Sequence, residues 1–170
     1  MKIPILSSFA AIALLALPAA APARPAPRIS LTSLQKLPQP LPLPYAEAAD
    51  ADRAVAQAKA RAKKSGKLLL VDLGGNWCPD CRMLAGVMDL PEMKAFIARH
   101  YELVSVDIGR FDKNGQIAAH WGVKKLDGVP ALLVVDPKSD KLLNRSKLFA
   151  LADARSMTPQ ALADWIAQWV

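Results

Sequence analysis

The sequence predicts one three-layer α/β domain, a central mixed sheet of four to five strands flanked by helices, and three observations carry that expectation. Strand-length runs at 68–73, 102–108 and 129–135 alternate with helix-like stretches. The first run is apolar throughout except for Asp72, which fits a strand covered on both faces. After Val135 the order becomes turn, strand and helix, which adds an antiparallel edge to the sheet.

Residues 1–23 read as a signal peptide. Lys2 gives a positive start, residues 5–17 are apolar apart from Ser7 and Ser8, and Ala21-Pro22-Ala23 supplies the small residues a signal peptidase needs. A cut after Ala21 would leave Pro22 just past it, so cleavage is placed after Ala23. The alternative is an uncleaved anchor, but the apolar stretch falls short of the roughly 20 residues of a spanning helix. Export to the periplasm or a similar compartment is the expectation, with no stable membrane insertion after cleavage. Removing this segment takes away one charge, Lys2, and lowers the net charge from +7 to +6. A basic surface steers acidic partners or anionic membrane toward the protein. Nucleic acid is disfavoured, because the basic residues are scattered, and the cluster Lys59, Arg61, Lys63 and Lys64 is explained by a solvated helix face.

Residues 24–45 are a Pro-rich linker or strap. Pro38, Pro40, Pro42 and Pro44 alternate and favour extended polyproline geometry. Leu37, Leu41 and Leu43 between them can pack on the domain, or the segment is a loose tether.

The domain occupies residues 46–170. Residues 46–64 are rich in alanine and charge and predict a helix, ended by Gly66. The strand 68–73 follows, and Gly74 and Gly75 allow a turn. Residues 81–88 and 91–100 predict helices, with Pro91 in a first turn. The strand 102–108 carries Val104 and Val106 on one face. Residues 114–121 make a short helix closed by Gly122. The strand 129–135 opens at Pro130 and ends at Asp136-Pro137. A turn at 138–141 leads to a fourth strand within 142–151, blurred by Asn144, Arg145 and Ser146. Thr158-Pro159 starts the last helix, with Leu162, Trp165, Ile166 and Trp169 at helical spacing.

Both cysteines lie in Trp77-Cys78-Pro79-Asp80-Cys81. Unpaired N–H groups at a helix start stabilise a thiolate. That predicts Cys78 as an exposed attacking sulfur and Cys81, one turn on and within disulfide reach, as the resolving thiol. Pro79 fits the first helical position, where no N–H is needed. Two alternatives compete. A zinc site needs about four ligands, and His100 and His120 stand at no regular spacing from the pair, so no metal is expected. A purely structural clasp closes too short a loop to remove much unfolded-state entropy.

Asp72 interrupts an apolar strand six residues before Cys78. A buried carboxylate there can accept the Cys81 proton; the alternative puts Asp72 at the strand's exposed end. Asp80, close to Cys78, is expected to disfavour its thiolate, which makes the pair a weak oxidant and favours reduction or isomerisation. The alternative has Asp80 in water with little effect.

The segments "LLLVDLGGNWCPDC", "VSVDIG" and "GVPALLVVD" occur in an order and spacing that resembles the thioredoxin superfamily over residues 46–170. Asp89-Leu90-Pro91-Glu92 adds a likeness to the exported domains related to the C-terminal domain of the thiol reductant DsbD. The resemblance implies that Cys78 is the nucleophile, Cys81 the resolving thiol, Asp72 the proton acceptor and Trp77 the flanking aromatic. It also implies that Pro130 is a cis-proline, presenting the Val129 backbone to an incoming peptide. The expected protein is an exported thiol–disulfide oxidoreductase that reduces or isomerises protein disulfides. It needs no cofactor beyond the redox-active Cys78–Cys81 pair. Its partners are disulfide-containing or dithiol clients and a separate protein electron donor or acceptor. The alternative is a noncatalytic peptide-binding or chaperone-like module. Two departures from the family pattern, Pro79-Asp80 between the cysteines and Leu73-Gly74-Gly75-Asn76 before them, argue for narrow rather than general substrate use.

Overall fold

Helix α1, Ala51–Ser65, starts where the Asp50 carboxylate accepts the Arg53 N–H and ends at Gly66, whose φ of 70° suits glycine. In this computed structural model, which describes residues 25–170, the helix begins later than the sequence suggests. Residues 46–49 form a turn closed by the Ala49 N–H on the Ala46 carbonyl (3.0 Å), and Asp50 is the residue able to cap. The signal segment read at 1–23 lies outside the described residues.

Four strands form the sheet in the order β2-β1-β3-β4: β1 Leu68–Gly74, β2 Tyr101–Asp107, β3 Ala131–Asp136 and β4 Lys141–Leu142. Strand β1 is parallel to β2 and antiparallel to β3, and β4 is antiparallel to β3. The parallel pair requires a crossover, and α2 (Pro79–Met88) with α3 (Pro91–His100) supplies it. Helices α4 (Gly115–His120) and α5 (Pro159–Ala167) complete the layers. Strand periodicity sends Leu69, Val71 and Leu73 to a core shared with Val55, Ala58 and Ala62 of α1. Leu70, Leu132 and Val134 go to a second core with Leu84 of α2, Met93 of α3 and Leu162 and Ile166 of α5. Asp72 shares the parity of Leu70, so it points toward the side of the sheet on which α2 packs.

The fourth strand is shorter than expected. Asn144 is fully buried; its Nδ2 donates to the Leu132 carbonyl (2.7 Å) and its Oδ1 accepts the Val134 N–H (2.9 Å). A side-chain amide carries the donor and acceptor of a peptide group. It takes over the pairing that a longer strand would make, and Arg145–Lys147 turn away as a 3₁₀ helix.

The proline-rich segment lies against the second core, where Ile29, Leu34 and Leu37 are buried. Gln160 accepts the Ile29 N–H (2.9 Å) and donates to the Pro27 carbonyl (3.2 Å). Arg82 donates to the carbonyls of Leu41 (3.1 Å) and Pro42 (3.4 Å). A side chain at Gly86 would press on Leu37 and Leu41, so this glycine lets the segment approach α2. Each buried leucine contributes about 2 kcal/mol, and prolines lose little backbone entropy on ordering. Leu43 remains exposed.

Candidate active site

The two thiols sit where β1 passes the chain to α2. The Cys78 N–H donates to the Gly75 carbonyl (3.0 Å) and closes a turn just past Gly74, which is the last residue of β1 rather than part of the turn. Cys78 is the N-cap of α2, with extended backbone, and its Sγ accepts the Cys81 N–H (3.2 Å). Pro79 occupies the first helical turn. Both cysteines are free thiols. The Val129–Pro130 bond is cis, and the Val129 carbonyl lies 3.7 Å from Cys78 Sγ, where it can accept the thiol proton.

Cys78 was expected to be exposed, and it is not: only 3% of its surface is accessible. Its sulfur turns inward because it caps the helix and faces the Val129 carbonyl. The exposed group beside it is Trp77, at 38%, whose indole donates to the Gly109 carbonyl (2.6 Å). Phe111, half exposed, meets Trp77 edge-on at 6.2 Å, and the Arg110 guanidinium lies 4.7 Å from the Trp77 ring centre. These three side chains form an aromatic and cationic rim next to the thiols.

Asp72 has no accessible surface, which removes the exposed-strand-end alternative. It pairs in register with Ser105 on β2 and Leu132 on β3. Tyr45 Oη lies 2.9 Å from both carboxylate oxygens, so its one proton is shared between them, and Ser105 Oγ donates at 3.5 Å. A Cβ at Gly74 would collide with both the Tyr45 phenol and Cys81 Sγ. The missing side chain is therefore the space in which phenol and thiol meet.

The electrostatics make the two sulfurs unequal. Hydrogen bonding from Cys81 lowers the Cys78 pKa to about 7, against burial and the charge of Asp80. Cys81 is pushed up, first by its hydrogen bond to Cys78 and then by burial. Burial raises Asp72 to about 7, while the hydrogen bonds from Tyr45 and Ser105 hold it below what burial alone would give. Near neutrality the arrangement offers a thiolate on Cys78, a proton kept on Cys81, and a carboxylate able to take that proton.

Asp80 opposes the Cys78 thiolate through its charge, as expected, but the hydrogen bonds to Cys78 outweigh it. It is not in water, with only 6% of its surface accessible, and the net shift at Cys78 favours the thiolate. Asp80 accepts the Arg155 N–H (2.9 Å) and the Arg155 Nε at 3.0 Å on both oxygens. Its charge is thus answered by a cation, and its own N–H helps hold the thiolate. Arg155→Ala should strip this buried carboxylate facing Cys78 of its cation and leave it only the backbone N–H of residue 155. The expected results are a loss of about 2 kcal/mol in urea unfolding and a higher pH midpoint for Cys78 alkylation by iodoacetamide. An unchanged midpoint would remove Arg155 from control of the thiol.

Sequence reasoning named Cys78, Cys81, Asp72, Trp77, Pro79, Asp80, Val129 and Pro130, and the fold gathers all eight around one loop. It missed Tyr45, Asn76 and Arg155. Arg155 is 75 residues from Asp80 in a 3₁₀ turn, and no local pattern points to it. Tyr45 had one signal, an aromatic residue closing the run of alternating prolines. Among the described residues, no group of three His, Cys, Asp or Glu side chains is arranged to hold a metal.

Comparison with known proteins adds to this geometry. A family model described as thioredoxin-like matches residues 50–137. The crystal structure of a disulphide isomerase from Xylella fastidiosa Temecula1 aligns with a TM-score of 0.70 at 39% identity, covering 76% of this chain and 98% of that one. The C-terminal domain of DsbD from Neisseria meningitidis, in its oxidised form, aligns at 21% identity and a TM-score of 0.43, covering 58% of this chain and 85% of that one. A Trichomonas vaginalis thioredoxin aligns at 23% identity and 0.37, covering 59% and 90%. None of the curated proteins compared matches the chain.

Proposed function

The chain belongs to the thioredoxin-like family, and from that premise we propose that it is an exported thiol–disulfide oxidoreductase that reduces or isomerises protein disulfides. The observation that carries this reading is the geometry of the two thiols: Cys78 caps α2, with its Sγ accepting the Cys81 N–H beside the Val129 carbonyl, and Cys81 shares a buried space with the phenol that bonds Asp72. In reduction, the Cys78 thiolate attacks one sulfur of a client disulfide. The client S–S bond breaks, its leaving thiolate takes a proton, and a mixed disulfide forms. Cys81 then gives its proton to Asp72 and attacks Cys78 Sγ. The mixed bond breaks, the client leaves as a dithiol, and two electrons have passed from the protein pair to the client. In isomerisation a second client thiol attacks in place of Cys81 and returns Cys78 reduced.

Reduction and isomerisation are favoured over oxidation. Attacking thiols in such pairs range from about 3.5 in a strong oxidant to about 7 in a reductant, and Cys78 stands at the upper end. The Xylella fastidiosa protein, described as a disulphide isomerase, supports the same class. A cis-proline loop beside Cys78 and the rim of Trp77 and Phe111 give an extended client backbone and apolar side chains somewhere to rest. The electrons come from a separate protein donor.

The protein should accelerate insulin reduction by dithiothreitol, and Cys78→Ser should abolish that acceleration. Failure with both insulin and scrambled ribonuclease would contradict the enzyme and favour a noncatalytic peptide-binding module.

A further inference from the structure

The resolving side of the site is completed by the proline-rich strap. Tyr45 ends that strap, and the loop ahead of the cysteines clamps its backbone: Asn76 Nδ2 donates to the Tyr45 carbonyl (2.8 Å) and Asn76 Oδ1 accepts the Tyr45 N–H (3.2 Å). The ring is buried, and its hydroxyl reaches both oxygens of Asp72 at 2.9 Å. Gly74, which has no side chain to block the ring, brings the phenol and Cys81 Sγ into one space. The glycine and asparagine of Leu73-Gly74-Gly75-Asn76 thus have a joint use: one admits the phenol and the other holds its backbone.

We propose that Tyr45 is a positioning residue for the resolving half-reaction, its phenol holding the Asp72 carboxylate beneath the Cys81 thiol, so that docking of the strap completes the exchange site. The proposal rests on the exchange reading above. Four groups face Asp72: Tyr45 from the strap, Ser105 from β2, and Cys78 and Cys81 from α2. Burial and the Asp72 charge push the phenol's own ionisation far up, so it donates and does not ionise. Its donated bond favours the carboxylate form of Asp72, which burial opposes.

The test follows two chemical releases from an aromatic disulfide reagent, dithiobis(nitrobenzoate), using the full chain in its reduced state. Cys78 attacks one reagent sulfur, the reagent S–S bond breaks, and one nitrothiophenolate leaves. Cys81 then passes its proton to Asp72 and attacks Cys78 Sγ; the mixed bond breaks and a second nitrothiophenolate leaves. Two electrons pass from the dithiol to the reagent. Stopped-flow absorbance separates the phases from mildly acidic to mildly alkaline pH.

In Tyr45→Phe the first release should match wild type. The midpoint of the second should move up by about one pH unit, with a rate about tenfold lower below that midpoint, and the two proteins should converge at alkaline pH. Ser105→Ala, which removes a longer contact, should shift the midpoint less. A second phase that superimposes on wild type would overturn the proposal. So would a loss uniform across pH, the mark of packing damage alone. A wild-type protein that releases no second equivalent would overturn the exchange reading itself, and this proposal with it.

Discussion

Asp72→Asn is expected to make the protein more stable and its exchange slower. Asp72 has a folded pKa of about 7 against an ordinary value of 3.8. Below about pH 4 both the folded and unfolded chains hold the proton, and the group exerts no penalty. As pH rises from there, the unfolded chain ionises while the folded chain keeps its proton, so stability falls until pH reaches the folded value. Above it the full penalty remains. A gap of about three pKa units corresponds to about 4 kcal/mol. Asparagine cannot ionise and keeps an oxygen for the Tyr45 hydroxyl. Urea unfolding should therefore find the variant roughly 2–4 kcal/mol more stable at mildly alkaline pH, with the difference vanishing near pH 4. A difference independent of pH would contradict the raised pKa. The resolving step loses its proton acceptor, and its rate near neutrality should fall about a hundredfold.

Cys81→Ser should trap the client. Cys78 still attacks, but the mixed disulfide then has no thiol beside it, and release should slow by at least about a thousandfold because an oriented intramolecular nucleophile is lost. Mass spectrometry after a single turnover should show protein and client joined through Cys78. Cys78→Ser should show no adduct, because Cys81 has no accessible surface and burial still holds its proton after the Cys78 thiol is gone. An adduct on Cys81 in that variant would reverse the roles of the two sulfurs.

Much of the site was legible because its chemistry is local. Strand β1, the glycine turn, the helix start and Pro79 lie within one stretch, and residue type dictates each of them. Asp72 stood out as the single carboxylate in an apolar strand, although only its burial in the folded sheet decides between the interior and the exposed strand end. The partners that set charge were not legible. Asp80 looked like a free negative charge because Arg155 meets it only after the chain has closed the sheet. Cys78 looked exposed because a helix start is usually open, and only the folded chain brings the Val129 carbonyl over it. The fourth strand was overextended because no pattern announces that a buried asparagine side chain will stand in for backbone pairing. Tyr45 was hidden in a segment whose composition reads as a spacer.

The reduction potential of the Cys78–Cys81 pair, measured by equilibration in glutathione buffers, tests the central claim most directly. A reductant or isomerase should equilibrate between about −270 and −180 mV. A value near about −120 mV, typical of an enzyme that introduces disulfides, would contradict the proposed direction of electron flow.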